Sequence, residues 1–401
     1  MSNQLASLLS GGPAKVTLGR GSFITKTGVV LAPELETFEV PVDTVGIADE
    51  RVSQAPIIMR ATPSGVIENL DEFYRVLQQR AGDYLVHIAP ISAINTTSNQ
   101  VTAPRHLLIT GDRCYLNATP GATKPAVITE TTVYFARVVD EDIVTLHPTL
   151  ADADAGTNAI DFADDGTGDL CLIRELQLVI HTTRGKKITF HNVAITTPPT
   201  INGTAGDTLF GEVVIEAFPR NLKAWSDEES RYTIEDAAYV DEAFDPADIV
   251  TQCYALTWGE AAPWVDFSTE AGVQVEFPIT TSPKGNDCDG IVNRQIETVR
   301  PAATFTPIGV SEAELLSKFR LQGSGTGRGK SLNTGSADLV ISGTGLHITL
   351  YGAQLRAGEA RFNRKDYRAN GVRLISTLTF DEAGAPNPLA RVATAAPVEE
   401  S

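Results

Sequence analysis

The sequence predicts a mainly β protein made of two tandem sandwich or barrel domains, each with one short helix, and a small β module inserted into the first. Three observations predict it. Apolar and polar residues alternate with period two through most of the regular text. Four blocks recur in the same order in the two halves of the chain. The first half carries a long excess segment that has strand-like runs of its own.

The alternation is clear in ETFEVPV, LQLVIH, KITFHNVAI, EVVIEAF, LHITLYGAQL and RLISTLTF. Successive side chains on a strand point to opposite faces, so each run buries one face and wets the other. Helical spacing occurs once per half, over residues 66–77 and 311–319. One helix covering the open side of a sandwich is the simplest architecture for such a unit.

The recurring blocks define the two copies. KVTLGRGSF (15–23) shares T-[LW]-G with YALTWGEAAPW (254–264), and ETFEVPV (36–42) faces VQVEFPI (273–279). ATPSGVIENLDEFYRVL (61–77) faces FTPIGVSEAELLSKFRL (305–321) through T-P-x-G-V, and LVIHTTRGKKITF (178–190) faces LVISGTGLHITL (339–350). A repeat of this kind decides how every other feature is read.

The domain plan follows. An amino-terminal arm spans 1–13, and the first domain is discontinuous over 14–98 and 173–225. The inserted β module covers 99–172, where HLLITGDRCYL, TTVYFARVV and DIVTLHP supply three strand-like runs. A compact domain does not carry so long a structureless loop, so this segment should fold by itself. Residues 226–252 form an acidic linker, with nine acidic residues and one arginine over 226–248. The second domain spans 253–384, and an Ala- and Pro-rich flexible tail covers 385–401.

Composition excludes several function classes. The net charge of −18, from 50 acidic against 32 basic residues, argues against wrapping nucleic acid through phosphate contacts. No apolar run approaches the roughly 20 residues that span a bilayer, and the start MSNQLASLLSGG has no secretory pattern, so the chain is expected to stay in the cytoplasm where it is made, without membrane insertion. Cys114, Cys171, Cys253 and Cys288 are scattered, which suggests reduced thiols instead of a zinc site or a disulfide scaffold.

Chemical constellations are sparse. LQGSGTGRGKSLN (321–333) lacks the first glycine of a phosphate loop and sits in an inverted helix-to-strand context, leaving a glycine loop with Arg328 and Lys330. The six histidines, His87, His106, His147, His181, His191 and His347, form no metal pattern; His181 and His191 could share a hairpin as a solvated pair. Asp152, Asp154, Asn158 and Asp161 resemble a calcium loop, but Gly156 and Ala163 fall where the EF-hand spacing needs other residues, so an Asp-rich turn is expected. Ser64 reads as part of a turn, and the pairs Glu228/Glu229 and Asp164/Asp165 as solvated carboxylates. No catalytic, cofactor-binding or metal residue is assigned, no cofactor is implied, and an enzyme is not expected.

The inserted segment carries the most specific pattern: ITGDRCYL, then YFARVVD, TLH, ADADAGT and a closing DDGTG turn. It is similar to a small β module that recurs in tail and other virion proteins of tailed bacteriophages. The flanking copies resemble the tail tube fold. That resemblance implies a structural virion protein made in the host cytoplasm, self-associating into stacked rings around a lumen that passes DNA and the tape-measure protein. Six tube domains build such a ring, so a chain with two would form trimers with pseudo-sixfold symmetry. It further implies neighbouring baseplate and terminator proteins, a lumen lined by carboxylates, and the module on the outer surface. A baseplate, distal tail or tail terminator component is the alternative within the particle; a bacterial surface or carbohydrate-binding β protein is the alternative outside it.

Overall fold

The computed structural model describes residues 13–33, 37–41, 48–52, 57–129, 132–203, 209–219, 232–238, 254–258, 264–267, 269–286, 290–307, 337–343, 346–362, 367–380 and 387–394. The chain is mainly β, as its alternation predicts.

The first repeat opens with β1 (Ala14–Leu18), β2 (Gly21–Pro33), β3 (Thr37–Pro41), β4 (Ala48–Val52) and β5 (Ile57–Pro63). Then α1 (Asp71–Tyr74) runs into a 3-10 turn over Arg75–Gln78. The module follows, with β6 (Ile88–Ile91), β7 (Ala93–Asn95), β8 (Gln100–Thr102), β9 (Arg113–Ala118), β10 (Tyr134–Val138), β11 (Ile143–His147), α2 (Leu150–Ala155) and β12 (Leu170–Arg174). The first repeat resumes with β13 (Leu178–Thr182), β14 (Lys186–Phe190), β15 (Val193–Thr197), β16 (Ile201–Asn202), β17 (Val213–Ala217) and β18 (Tyr232–Asp236). In the second repeat lie β19 (Ala255–Trp258), β20 (Trp264–Phe267), β21 (Thr269–Glu276), β22 (Ile279–Asn286), β23 (Gly290–Val299) and β24 (Ala302–Pro307). It ends with β25 (Ala337–Gly343), β26 (Leu346–Phe362), β27 (Tyr367–Ile375) and β28 (Ala390–Ala393).

Strand pairing shows the duplication directly. β1 pairs β2 and β13 as β19 pairs β20 and β25, and β13–β14–β18 corresponds to β25–β26–β28. β2–β5–β17–β15 corresponds to β21–β24–β27 and the far half of β26. Registers agree as well. Leu18 faces Leu178 as Trp258 faces Leu339, and Ala61 lies between Val29 and Val213 as Phe305 lies between Val273 and Val372.

Four expectations change. Val29 corresponds to Val273 and Thr37 to Thr281, so residues 36–42 align with β22 and not with 273–279. Alternation runs through successive strands here, and pattern alone matched a strand to its neighbour's counterpart. The acidic linker contains β18, and the tail contains β28. Each closes its repeat, Ile188 facing Ile234 and Ile348 facing Val392, because β14 and β26 offer open ladders that a short apolar alternation can complete. The helix expected over 66–77 is helical only from Asp71, because the Ser22–Glu68 bridge ties the preceding residues to β2, with Glu68 N donating to Ser22 O at 2.8 Å. The helix expected over 311–319 lies outside the described residues.

The two repeats share one core. Phe23 packs edge-on against Phe73 with ring centroids 5.4 Å apart, and Tyr74 of the first repeat does the same with Phe277 of the second at 5.0 Å.

The module has a sheet and core of its own, in strand order β6-β12-β9-β10-β11-β8-β7 around Val101, Leu116, Ala136, Leu146 and Phe162. It therefore takes in β6 and β7, upstream of residue 99. The residues of its sequence motif hold the backbone in place. Thr149 caps α2 by accepting from Asp152 N at 3.1 Å, and the Asp152 carboxylate accepts from Asn158 Nδ2 at 2.7 Å. Arg137 donates to the Ala153 and Asp154 carbonyls at 3.3 and 3.2 Å, at the carboxyl end of the helix. His147 Nδ1 donates to Thr157 O at 2.6 Å. The expected Asp-rich turn is thus a capped helix.

In the closing turn, Asp164 accepts from Gly166 N and Ala126 N at 3.0 and 3.1 Å. Gly166 has φ +71°, and a Cβ there would run into the Thr123 carbonyl oxygen. Gly166→Ala should cost about 1–3 kcal/mol of module stability, read as a lower midpoint in urea.

Candidate assembly surfaces

Two seams join the three units, and each is built around buried charge. At the module seam, α1 and the 3-10 turn after it present Glu72 and Arg75 from inside an apolar run in which Phe73, Tyr74, Val76 and Leu77 are buried. The module answers with Asp112 from the loop before β9 and Arg174 from the end of β12. Arg75 grips Asp112 through two parallel bonds of 3.0 and 2.8 Å and also donates to Leu107 O at 2.6 Å. Arg174 pairs with Glu72 and stands 3.4 Å from Asp112. Burial alone would raise the Asp112 pKa, but Arg174 and Arg75 outweigh it and hold the carboxyl below its ordinary range. Two cations and two anions, all largely buried, compensate one another only in this geometry.

Beside the network, a cavity of about 40 Å³ is lined by Gln79, His87, Arg174 and Leu176 among others, too small for a metabolite. His87 Nε2 donates to Arg105 O at 2.9 Å, and burial depresses its pKa below the ordinary 6.5. Stability should therefore depend on pH in two windows. Below about pH 6.5 the unfolded chain binds a proton that buried His87 refuses, so stability falls as the pH drops. From about pH 4 downward, through the depressed folded value of Asp112, a second loss follows as that carboxylate is protonated. Thermal melts between pH 8 and 3 should show both, and His87→Gln should shrink the first, to which His106, its pKa also lowered by burial, contributes as well.

At the repeat seam, the β22–β23 hairpin of the second repeat clamps the first. Arg294 Nε donates to both Glu216 carboxylate oxygens at 2.9 and 2.6 Å, with Glu216 1 % exposed. Asn293 exchanges bonds with Val86, its Oδ1 accepting and its Nδ2 donating at 3.1 Å each. Backbone bonds of 2.8 Å run from Leu85 N to Arg294 O, from Gly82 N to Ile296 O and from Ile296 N to Asp83 O. β16 extends the second repeat's sheet by pairing with β21, Ile201 opposite Val275, and Tyr74 Oη donates to Pro199 O at 2.8 Å.

The residues weighed in the sequence fall elsewhere. His181 and His191 share the β13–β14 hairpin but are not brought together: His181 faces Lys187, and His191 follows the far end of β14. Ser64 sits in a turn, its hydroxyl donating to Ile24 O at 2.9 Å. Cys114 lies in the module core, where burial pushes its thiol pKa far up. Asp154 lies 3.7 Å from Arg20, and among the described residues no group of three or more His, Cys, Asp or Glu side chains is placed to hold a metal. Arg328, Lys330, Glu228, Glu229, Cys253 and Cys288 lie outside the described residues. Among those described, no helix is long and apolar enough to cross a membrane.

The seam residues Glu72, Arg75, Asp112, Arg174, Glu216 and Arg294 were not singled out from the sequence. A charge inside an apolar run was the available signal, as in VVIEAF and DEFYRVL. Compared with known proteins, the chain matches no family model and no curated protein.

Proposed function

We propose that the chain is a non-enzymatic structural subunit of a tailed-bacteriophage tail tube, stacking as rings around a lumen through which DNA passes. The observation that carries this reading is the duplication: two repeats with one strand order and a shared core make the chain a fused pair of like domains. Three such chains supply six domains, a trimer with pseudo-sixfold symmetry. Ring stacking is open-ended and grows a filament. The acidic balance suits a bore that repels phosphate and leaves DNA mobile. The module, with its own core and a single seam, suits the outer wall.

Negative-stain microscopy of the purified chain tests the reading. Stacked rings of three chains are expected. Six chains per ring, or a monomer at high concentration, would overturn it. Isolated rings that never stack would favour a terminator or baseplate component.

A further inference from the structure

We infer that the β3–β4 hairpin of one chain docks on the second repeat of a neighbouring copy, as β22–β23 docks on the first repeat of its own chain. The inference deepens the ring reading and rests on it only in taking the partner to be a second copy.

The two hairpins are the same element in the two repeats. Thr37 faces Val52 as Thr281 faces Ile296, Phe38 faces Arg51 as Ser282 faces Gln295, and Glu39 faces Glu50 as Pro283 faces Arg294. Each is a two-stranded sheet between the second and third strands of its repeat's ladder. The second has its docking surface within the chain. Among the described residues, β3–β4 forms a ladder with no other strand.

The receiving surfaces differ in a complementary way. β17, which Arg294 reaches, is buried along its whole length on both faces. In the described part of its counterpart β27, Val372 and Leu374 are buried, while Arg373 and Ile375 remain half-buried. The ladder places Ile375 at the position of Glu216, and Leu378 and Phe380 just beyond are 57 % and 60 % exposed. Charge is reversed across the two seams. Inside the chain a hairpin arginine meets a strand carboxylate. Between chains, Glu50 stands on the rung of Arg294, and the outward face of β27 offers Arg373, whose own partner Glu276 lies 3.5 Å away on the surface.

One donor hairpin and one acceptor face per chain make a heterologous contact, which closes a ring if the rotation permits and otherwise runs on as a filament. The second repeat of each chain is thus covered by the first repeat of the next.

A cross-linking experiment tests this. In a background with Cys171, Cys253 and Cys288 changed to Ser, Glu50→Cys and Ile375→Cys are combined and treated with a short bis-maleimide. A ladder of chain multimers on a denaturing gel is expected, with neither single variant passing a dimer. Rings on the grid with the double variant at monomer mass, or linked within one chain, would overturn the docking and leave the tube reading standing. A ladder without rings would support the docking and sink the tube. Should the double variant fail to fold, replacing residues 37–52 by a short glycine turn serves instead. A folded chain that sediments as a monomer supports the inference, and one that still assembles overturns it.

Discussion

Asp112→Ala should lower stability by about 3–5 kcal/mol in denaturant unfolding, the range for breaking a buried ion pair from one side. The cause is what stays behind. Arg75, 8 % exposed, loses both carboxylate bonds and keeps only the Leu107 carbonyl and a 3.5 Å approach to Glu72. Ile109 N loses its 2.9 Å acceptor at the same time. Asp112→Asn should cost less, since the amide oxygen still accepts from one of these donors. Because the network is a buried charged link between the module and the first repeat, the loss should separate module unfolding from that of the repeats. A change under about 1 kcal/mol would mean that the network does not hold the seam.

Arg294→Ala should be comparably severe, about 3–5 kcal/mol, because the Glu216 carboxylate would stay buried at 1 % exposure with its two short bonds gone. The effect should be localised. Amide exchange should accelerate along β23 and at Leu85 and Gly82, whose backbone bonds run to the same hairpin. Lys186→Ala is the informative contrast. Its partner Asp236 is 85 % exposed, so the loss should stay within about 1 kcal/mol. Equal effects at the two sites would show that burial does not set the strength of the repeat seam.

The parts of the fold legible in the sequence were those with local periodicity. Leu18 and Trp258 could be matched because T-[LW]-G marks the same strand end twice, and the structure puts them against corresponding partner strands, β13 at Leu178 and β25 at Leu339. β18 and β28 were missed because YTIED and ARVA are short, sit among acidic or small residues, and become strands only when an open ladder completes them. Tertiary context outweighed composition there. The module's motif was legible as a pattern but not as a set of caps, since Arg137 reaches carbonyls that only the folded chain brings near. Both seams were invisible for a related reason: a carboxylate and a guanidinium far apart in sequence leave no periodic trace. VVIEAF hinted at a buried partner for Glu216 without saying that Arg294 would supply it.

The module leaves and re-enters its host at neighbouring points, since β6 at its start pairs with β12 at its end, Ile88 opposite Ile173. Once that ladder has zipped, the host sees a short tether where it would otherwise have to tie off a long floppy segment before β1 could meet β13. Most of the chain entropy of that long-range meeting is thereby spent early, inside a small domain rich in nearby contacts. A sequence of events follows in which the guest matures first and guides its host, so that slowing the guest also delays the host.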